Sequence, residues 1–572
     1  MQKYCGRRAH ESPHTPSRAA PDLFRRFRYT FKLPDLRSRL RYEPQELRFG
    51  TSGRRGRVAD LTQLEVSINV LAELEFLQSL EAGEGGVARG DEFYFAHDLR
   101  PSAVAFAAEH GGRGEICQAV EWALREAGMD PVNLGAIPTP ALAYYALTRG
   151  RGSIMVTGSH IPFDLNGYKL NTSAGELLKE HEAPVGERVR EVRARLYGQA
   201  FDESPFDESG KLKTGHRELP PASDAARRAY MERYTDFFSG LTLRGRRILV
   251  YDHSAVGRDL LAELLRHFGA EVVTRGRSES FVAIDTEAID DAQTAAIQAL
   301  VDEAGLEGSP LWAVVSTDGD SDRPLILGVE EGRAKFFGGD LVGMVVAEYL
   351  GADAVVVPIS CNDAIDRGDL QRALEPKTRI GSPFVIVGMA VARAKGRKNV
   401  CGWEANGGFL LGSDIERNGK VLRALATRDA MLPILAVLFA AQEKGLPLDE
   451  VFGRLPARYS RAALLRNFPR AKGRRMVESL TAAEPAEVRR IAALLETFFT
   501  AALGFGGIER LDYTDGVRIV FANGEVAHFR PSGNADEFRM YAVAGTQARA
   551  DEMVAAGVAE PDGVIRRLER AL

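Results

Sequence analysis

From about Leu47 onward the chain alternates short β-branched runs with helical stretches, and it does so in three successive passes. That alternation restricts the fold to α/β units with parallel strands, because a strand that returns parallel needs a helix-sized crossover to cover the sheet. The first pass predicts strands at Phe93–Ala96 and Ser153–Val156 and helices over Ala103–Ala127 and Pro140–Leu147. The second predicts a strand at Arg247–Tyr251, a helix from Gly257 to Phe268 and a strand at Leu311–Ser316. The third predicts a helix at Leu341–Tyr349, strands at Ala354–Pro358 and Phe384–Val387, and a helix over Met431–Glu443. After Leu455 the texture changes to a helix, Ala486–Phe499, and a meander of short strands, an α+β unit. At about 150 residues per domain, the 572-residue length accommodates four such units. The expected divisions are 43–215, 216–339, 340–455 and 456–572, with the polar stretch Asp202–Ala222 as a linker.

Residues 1–42 differ in kind. They hold 11 Lys/Arg against 3 Asp/Glu, a net of +8, whereas the rest holds 63 against 76, a net of −13. Pro13, Pro16, Pro21 and Pro34 interrupt any helix there, so the segment reads as a basic, unpacked extension. The near-even total charge does not call for nucleic acid or anionic lipid. Cys5, Cys117, Cys361 and Cys401 lie far apart, with neither a disulfide framework nor zinc spacing, which points to a reducing cytoplasm. The longest apolar run, Ala430–Ala441, is shorter than the ~18 residues of a spanning helix, so no membrane is expected.

Four loops carry the residue types that chemistry needs. Thr157-Gly-Ser-His-Ile-Pro162, followed by Asn166-Gly-Tyr-Lys169, lies where the Ser153–Val156 strand ends. Ligands of α/β folds gather at the carboxyl ends of parallel strands, so Ser159 stands where a hydroxyl would be presented, and Lys169 can return over it. A strand-to-helix turn with a capping serine is the alternative. Thr157 and Ile161 exclude a nucleophile elbow, which needs glycine at both places. In Asp318-Gly-Asp-Ser-Asp322-Arg323, three carboxylates at i, i+2 and i+4 repel one another unless a cation sits among them, and oxygen donors of this kind suit Mg²⁺. Arg323 and Val329 occupy the positions of an EF-hand's glycine and bidentate glutamate, which excludes that motif; a solvated acidic turn remains the alternative. Gly402-Trp-Glu-Ala-Asn-Gly-Gly-Phe409 sets Glu404 and Asn406 two residues apart, a pair able to accept from and donate to sugar hydroxyls. Arg530-Pro-Ser-Gly-Asn534 is either a phosphate nest or a plain hairpin turn.

Taken in order, with Leu47-Arg-Phe-Gly-Thr-Ser-Gly-Arg-Arg-Gly56 ahead of them, these motifs resemble the α-D-phosphohexomutase family over residues 45–572. The resemblance implies an α/β fold of four domains around a central cleft, three of them related α/β domains with mixed sheets and the last a smaller α+β domain. It implies a phosphoserine at Ser159 that donates its phosphoryl group to a hexose phosphate. A hexose 1,6-bisphosphate, intermediate and activator, then returns its other phosphate to the serine. Asp318, Asp320 and Asp322, with the phosphoserine as fourth ligand, would hold Mg²⁺, and Arg323 would steady the phosphoryl group. Arg55, His160 and Lys169 join Ser159 in the catalytic set, Glu404 and Asn406 take the sugar, and Arg530, Ser532, Gly533 and Asn534 bind the unreactive phosphate. Lys169 is the best candidate for proton transfer, since a lysine crowded by cations and partly desolvated is acidified. The partner is a small hexose phosphate, and the assembly a monomer or homodimer.

Three departures bear on substrate choice. Gly158-Ser-His-Ile-Pro162 stands for Ala-Ser-His-Asn-Pro, Asn406 and Gly408 stand for the usual serine and histidine, and Asn534-Ala-Asp536 stands for Thr-Glu-Pro. On the second and third of these, the resemblance leans to phosphomannomutase, ahead of phosphoglucomutase and phosphoglucosamine mutase; a catalytically silent sugar-phosphate binder is the reading from another class.

Overall fold

The computed structural model describes residues 34–50, 53–287, 289–532 and 536–572. Its first sheet runs in the order Arg48–Phe49, Arg54–Arg57, Leu165–Asn171, Ser153–Val156, Glu92–His97, Asp130–Ala136. The last three strands are parallel, and Leu165–Asn171 returns antiparallel beside Ser153–Val156. The second sheet pairs Glu271–Arg275, Arg247–Tyr251 and Ala313–Thr317 in parallel, then adds Pro324–Glu330 and Arg333–Phe336 antiparallel. In the third, Ala354–Val356 and Val400–Trp403 are parallel, and Phe409–Leu411 and Leu425–Asp429 follow antiparallel.

One device recurs in all three units and explains why the sheets are mixed. A parallel strand buried along its whole length, Ser153–Val156, Ala313–Thr317 or Val400–Trp403, ends in a loop and comes back as an antiparallel neighbour. Complete burial is what a strand covered on both faces requires, hence the near-continuous apolar sequence. The three loops, 157–164, 318–323 and 404–408, are the ones that carry serine, aspartates and glutamate. Ser159 therefore lies in a hairpin loop and not in a strand-to-helix turn, and Lys169 lies on the returning strand, paired with Met155.

The fourth unit is a five-stranded antiparallel sheet in the order Tyr459–Arg466, Glu537–Ala544, Val526–Pro531, Val517–Phe521, Ile508–Asp512. Packing separates it from the rest. One buried apolar cluster runs from Tyr94 to Leu455 through the first three units, whereas the fourth has its own, from Leu465 to Leu568. The longest apolar run becomes the helix Met431–Lys444, buried from Met431 through Ala441, and among the described residues no helix is long and apolar enough to cross a membrane.

The structure departs from the sequence reading in four places. Phe384–Val387 lies in the helix Ser382–Ala394, where Pro383 sits in the first turn and Val385, Met389 and Ala392 face inward at helical spacing. Only Ile116–Glu126 of the expected helix over Ala103–Ala127 is α-helical, because Gly111 and Gly112 at positive φ turn a short hairpin before it. The end of the basic extension is packed: Leu36 is fully buried, and the Leu36 and Arg41 amides donate to the carbonyls of Gln199 (2.9 Å) and Glu208 (2.8 Å). The expected linker is anchored as well, since Phe206 and Leu212 enter the first unit's core and the Leu212 amide donates to Gln63 Oε1 (2.8 Å). In the last two cases one or two apolar residues outweigh a polar surrounding composition.

Candidate active site

Ser159 adopts φ 56°, left-handed backbone that a non-glycine residue holds only when its surroundings enforce it. Here the enforcement comes from Arg100, whose side chain is fully buried. Its guanidinium donates to the carbonyls of Ser159 (2.9 Å), Ile161 (2.5 Å), Pro162 (2.7 Å) and Leu165 (2.9 Å), and it pairs with Asp98 at 3.2 Å. Asp98 in turn accepts from Thr157 Oγ1 (2.7 Å), which accepts from the Ser159 amide (2.7 Å). Glycine at 158 follows from the same contact, because a Cβ there would lie 2.7 Å from the Arg100 guanidinium. The loop is thus a rigid mount, and the Ser159 hydroxyl it presents donates to Asp318 Oδ2 at 2.8 Å, across the boundary between the first two units.

Asp318, Asp320 and Asp322 are buried, and each offers an oxygen within 4.8 Å of the others. Asp318 Oδ1 accepts from the Asp322 and Arg323 amides (3.1 and 3.2 Å), and Asp320 Oδ2 accepts from Thr139 Oγ1 (2.5 Å). Lys169 Nζ donates to Asp320 and Asp322, both at 2.6 Å. It is therefore bracketed by carboxylates and not crowded by cations as the sequence argument supposed. Asp320 Oδ1 and Asp322 Oδ1 are buried without a hydrogen-bond partner. Burial, then the Asp320 and Asp322 charges, push the Asp318 carboxyl well above the usual range. Burial also opposes ionisation of Asp322, but Arg428, Lys169 and Arg323 overcome it and hold that carboxyl low. Orphaned oxygens and an excess of negative charge are what a hard divalent cation would satisfy, so the residues fit a metal site.

The remaining charge is cationic. Arg323 Nε lies 3.8 Å from Asp318 and 3.6 Å from Asp322. Burial and the neighbouring Arg323 lower Arg55 to about 10, and burial together with Arg323, Arg55, Arg539 and Arg428 keeps His160 well below its ordinary value, hence neutral. The His160 Nδ1 atom is 3.4 Å from Ser159 Oγ.

In the third loop, Asn406 Oδ1 accepts from the Gly408 amide (3.0 Å), so one end of this side chain shapes its own turn. Glu404 Oε2 accepts from Arg428 Nη1 (3.0 Å), and Arg428 Nε donates to Asp322 Oδ2 (3.0 Å). In the fourth unit, Arg530 Nε is 3.3 Å from Asp515 Oδ1, and the Ser532 amide donates to the Glu537 carbonyl (2.9 Å). Gly533 and Asn534 lie outside the described residues. Arg530 stands directly opposite Arg539 on the adjacent strand, and Arg539 reaches Glu287 of the second unit at 3.4 Å.

Arg100, Arg428, Arg539 and Asp515 are the site residues that sequence reasoning passed over. Two of them carry a readable signal: Asp98-Leu-Arg100 and Arg428-Asp429 are charged groups at the end of buried strands, the same pattern that marks Asp318.

Three units that each present a polar hairpin loop to one buried centre, where a hydroxyl meets three carboxylates, define a multidomain α/β enzyme. Residues 46–195 match the family model for phosphoglucomutase/phosphomannomutase α/β/α domain I, and residues 338–459 match that for domain III. The phosphomannomutase of Salmonella muenchen is 37% identical over 519 residues, covering 89% of this chain and 94% of that protein. The phosphomannomutase of Sinorhizobium fredii is 36% identical over 514 residues, covering 90% and 98%. A solved phosphoglucomutase/phosphomannomutase family protein from Burkholderia thailandensis shares the fold, with a TM-score of 0.61 at 18% identity over 91% of this chain and 97% of that one. The chain belongs to the α-D-phosphohexomutase family. It is a mutase, an isomerase of carbohydrate metabolism.

Proposed function

We propose that this mutase interconverts mannose 1-phosphate and mannose 6-phosphate through a phosphoserine at Ser159. The supporting observation is the meeting of the Ser159 hydroxyl with Asp318, 2.8 Å apart and fully buried, in the only group of metal-competent side chains among the described residues. Ser159, Asp318, Asp320 and Asp322 would hold Mg²⁺, which when bound would offset charge on the oxygens of the transferred group. Phosphoryl transfer asks the protein chiefly for position and charge. Arg100 fixes where the Ser159 Oγ stands, while Arg323 and Arg55 face the phosphoryl oxygens. The bond from phosphorus to Ser159 Oγ breaks as one forms to the sugar oxygen, whose proton Lys169 takes up as one of its own passes to the Asp320 carboxylate it touches at 2.6 Å. The resulting 1,6-bisphosphate turns within the cleft, and its other phosphate returns to Ser159 as Lys169 gives the proton back. Neutral His160 beside the serine can accept or donate a hydrogen bond without adding charge.

Glu404 accepts from the sugar hydroxyls, with Asn406 holding the loop. Arg530 and Arg539 stand directly opposite on a ladder, each already paired with a carboxylate, Asp515 and Glu287, and together they set two guanidinium groups side by side. With Ser532, they suit the phosphate that is not reacting.

The choice of mannose follows the relatives at 36–37% identity. A coupled assay comparing mannose 1-phosphate, glucose 1-phosphate and glucosamine 1-phosphate, with bisphosphate supplied, tests it. The expected outcome is the highest kcat/KM with mannose 1-phosphate. A higher value with glucosamine 1-phosphate overturns the sugar assignment and leaves the mutase.

A further inference from the structure

The strand Leu425–Asp429 ends in three consecutive polar residues, each joined to a different part of the molecule. Thr427 Oγ1 donates to Glu176 of the first unit (2.7 Å), whose other oxygen accepts from Ser382 Oγ (2.7 Å). Asp429 accepts from Tyr230 (2.5 Å) and Tyr234 on the helix Ala225–Phe237. Between them Arg428 joins Asp322 of the metal-competent loop to Glu404 of the hairpin loop opposite.

We infer that Arg428 is a positioning residue that couples the sugar loop to the metal loop, so that the state of Glu404 sets how readily Asp322 accepts a cation. The inference rests on the roles proposed above for those two loops and goes beyond them. Three observations carry it. First, the bridge is dry: the side chains of Arg428, Glu404 and Asp322 are 4%, 5% and 1% exposed, so their charges are weakly screened. Second, the bridge cannot relax by backbone movement, because the residues on either side of Arg428 are tied to other units by the bonds just described. Third, the stem of Arg428 lies against Gly408, where a Cβ would come within 2.6 Å of its Cδ. The volume that a side chain at 408 would need is taken by Arg428, which gives the histidine-to-glycine departure a physical reason.

One guanidinium shared between two carboxylates makes each the competitor of the other. If Glu404 loses its charge, Arg428 is left to Asp322 with its own charge less compensated, and a divalent cation meets more repulsion there. A lysine at 428 keeps a charge but brings one nitrogen in place of the fork, so it cannot hold both ends in the same geometry.

A double-mutant cycle on Mg²⁺ affinity, read by titration calorimetry on the full chain without sugar phosphate, tests this. Glu404→Gln should weaken Mg²⁺ binding about 5-fold in the wild-type background, a coupling typical of groups in one hydrogen-bond network. In the Arg428→Gln background the same change should have less than about a 2-fold effect. If Arg428→Gln fails to fold by its melting curve, Arg428→Lys carries the cycle, with the same loss of coupling expected. An equal effect of Glu404→Gln in both backgrounds means plain charge attraction through space and overturns the inference while leaving the metal loop in place. A wild-type chain that binds no Mg²⁺ overturns the metal reading and this inference together.

Discussion

At Ser159 the polar groups that meet come from three units of the chain: Ser159 and Lys169 from the first, Asp318, Asp320 and Asp322 from the second, Arg428 and Glu404 from the third. At Arg530 the nearest partner, Asp515, belongs to the same unit, and the bonds that leave that unit are few. They include the Ile380 amide to Asp515 Oδ2 (2.9 Å), Arg539 to Glu287, and Arg458, which joins Asp363 (2.6 and 2.9 Å) to the Gly524 carbonyl (2.7 Å). The apolar packing follows the same division: one cluster spans the first three units, beside smaller ones confined to each of them, whereas the fourth unit's cluster is wholly its own. A chemical centre assembled from three domains can stay fixed only if those domains share a core. A domain with its own core and a handful of polar ties can move as a body, and movement is what a clamp needs if bisphosphate is to turn while water is kept out.

The largest effects should come from the fixed half. Ser159→Ala should lower kcat by at least about 10⁴-fold, since it removes the hydroxyl proposed to carry the phosphoryl group. Intact-protein mass spectrometry should show a phosphate-sized mass on the wild type and none on the variant. A fully active wild type that never carries that mass would show the comparison to be misdrawn at its centre. Chelation should likewise bring activity to background and Mg²⁺ should restore it, because Asp320 Oδ1 and Asp322 Oδ1 have no hydrogen-bond partner. Undiminished turnover in excess chelator would remove the metal from the account.

Arg100→Met tests rigidity instead of chemistry. It leaves Asp98 buried without its cation and strips four carbonyls of the Ser159 loop of their donor. Breaking a buried pair in this way costs about 3–5 kcal/mol, which equilibrium denaturation would measure in the transition of the shared core. A loss below about 1 kcal/mol would mean that the loop holds its φ without Arg100.

The unequal legibility of these regions in the sequence has the same origin. The first two hairpin loops of the fixed half are readable because each follows a largely apolar strand, so that Ser159 and the Asp318–Asp322 run stand out as hydroxyl or charge at a buried end, whereas Glu404 is marked only by its Gly-rich loop, the strand Val400–Trp403 before it being too short to read. What was not readable is how those loops are held. Arg100 and Arg428 act on residues 59 and 106 positions away, at Ser159 and Asp322, and no local period records such a contact. The strand expected at Phe384–Val387 failed for a related reason: a short apolar run of one aromatic and three β-branched residues is compatible with helix or strand, and burial of Val385 and Met389 decides for helix. In the fourth unit the run Arg530–Asn534 reads equally as a phosphate nest or a plain hairpin turn, because Arg539, which stands opposite Arg530, enters from the next strand.

The smallest of these effects, and the one that separates the two halves most sharply, belongs to Arg530. Its guanidinium is held at 3.3 Å by Asp515, which keeps a second bond from the Ile380 amide if the arginine is removed. Arg530→Ala also relieves the opposition of like charges with Arg539, so the melting temperature should change little. Catalysis should suffer, because the phosphate that is not reacting loses one charge-assisted contact in a water-excluded site. The expected loss is roughly 2–3 kcal/mol of transition-state stabilisation, about 30- to 150-fold in kcat/KM. Arg100→Met should thus lose stability and activity together, while Arg530→Ala should lose activity alone. If steady-state kinetics of Arg530→Ala give the wild-type kcat/KM, the turn is a hairpin without a phosphate, and the clamp has to be sought at Arg539.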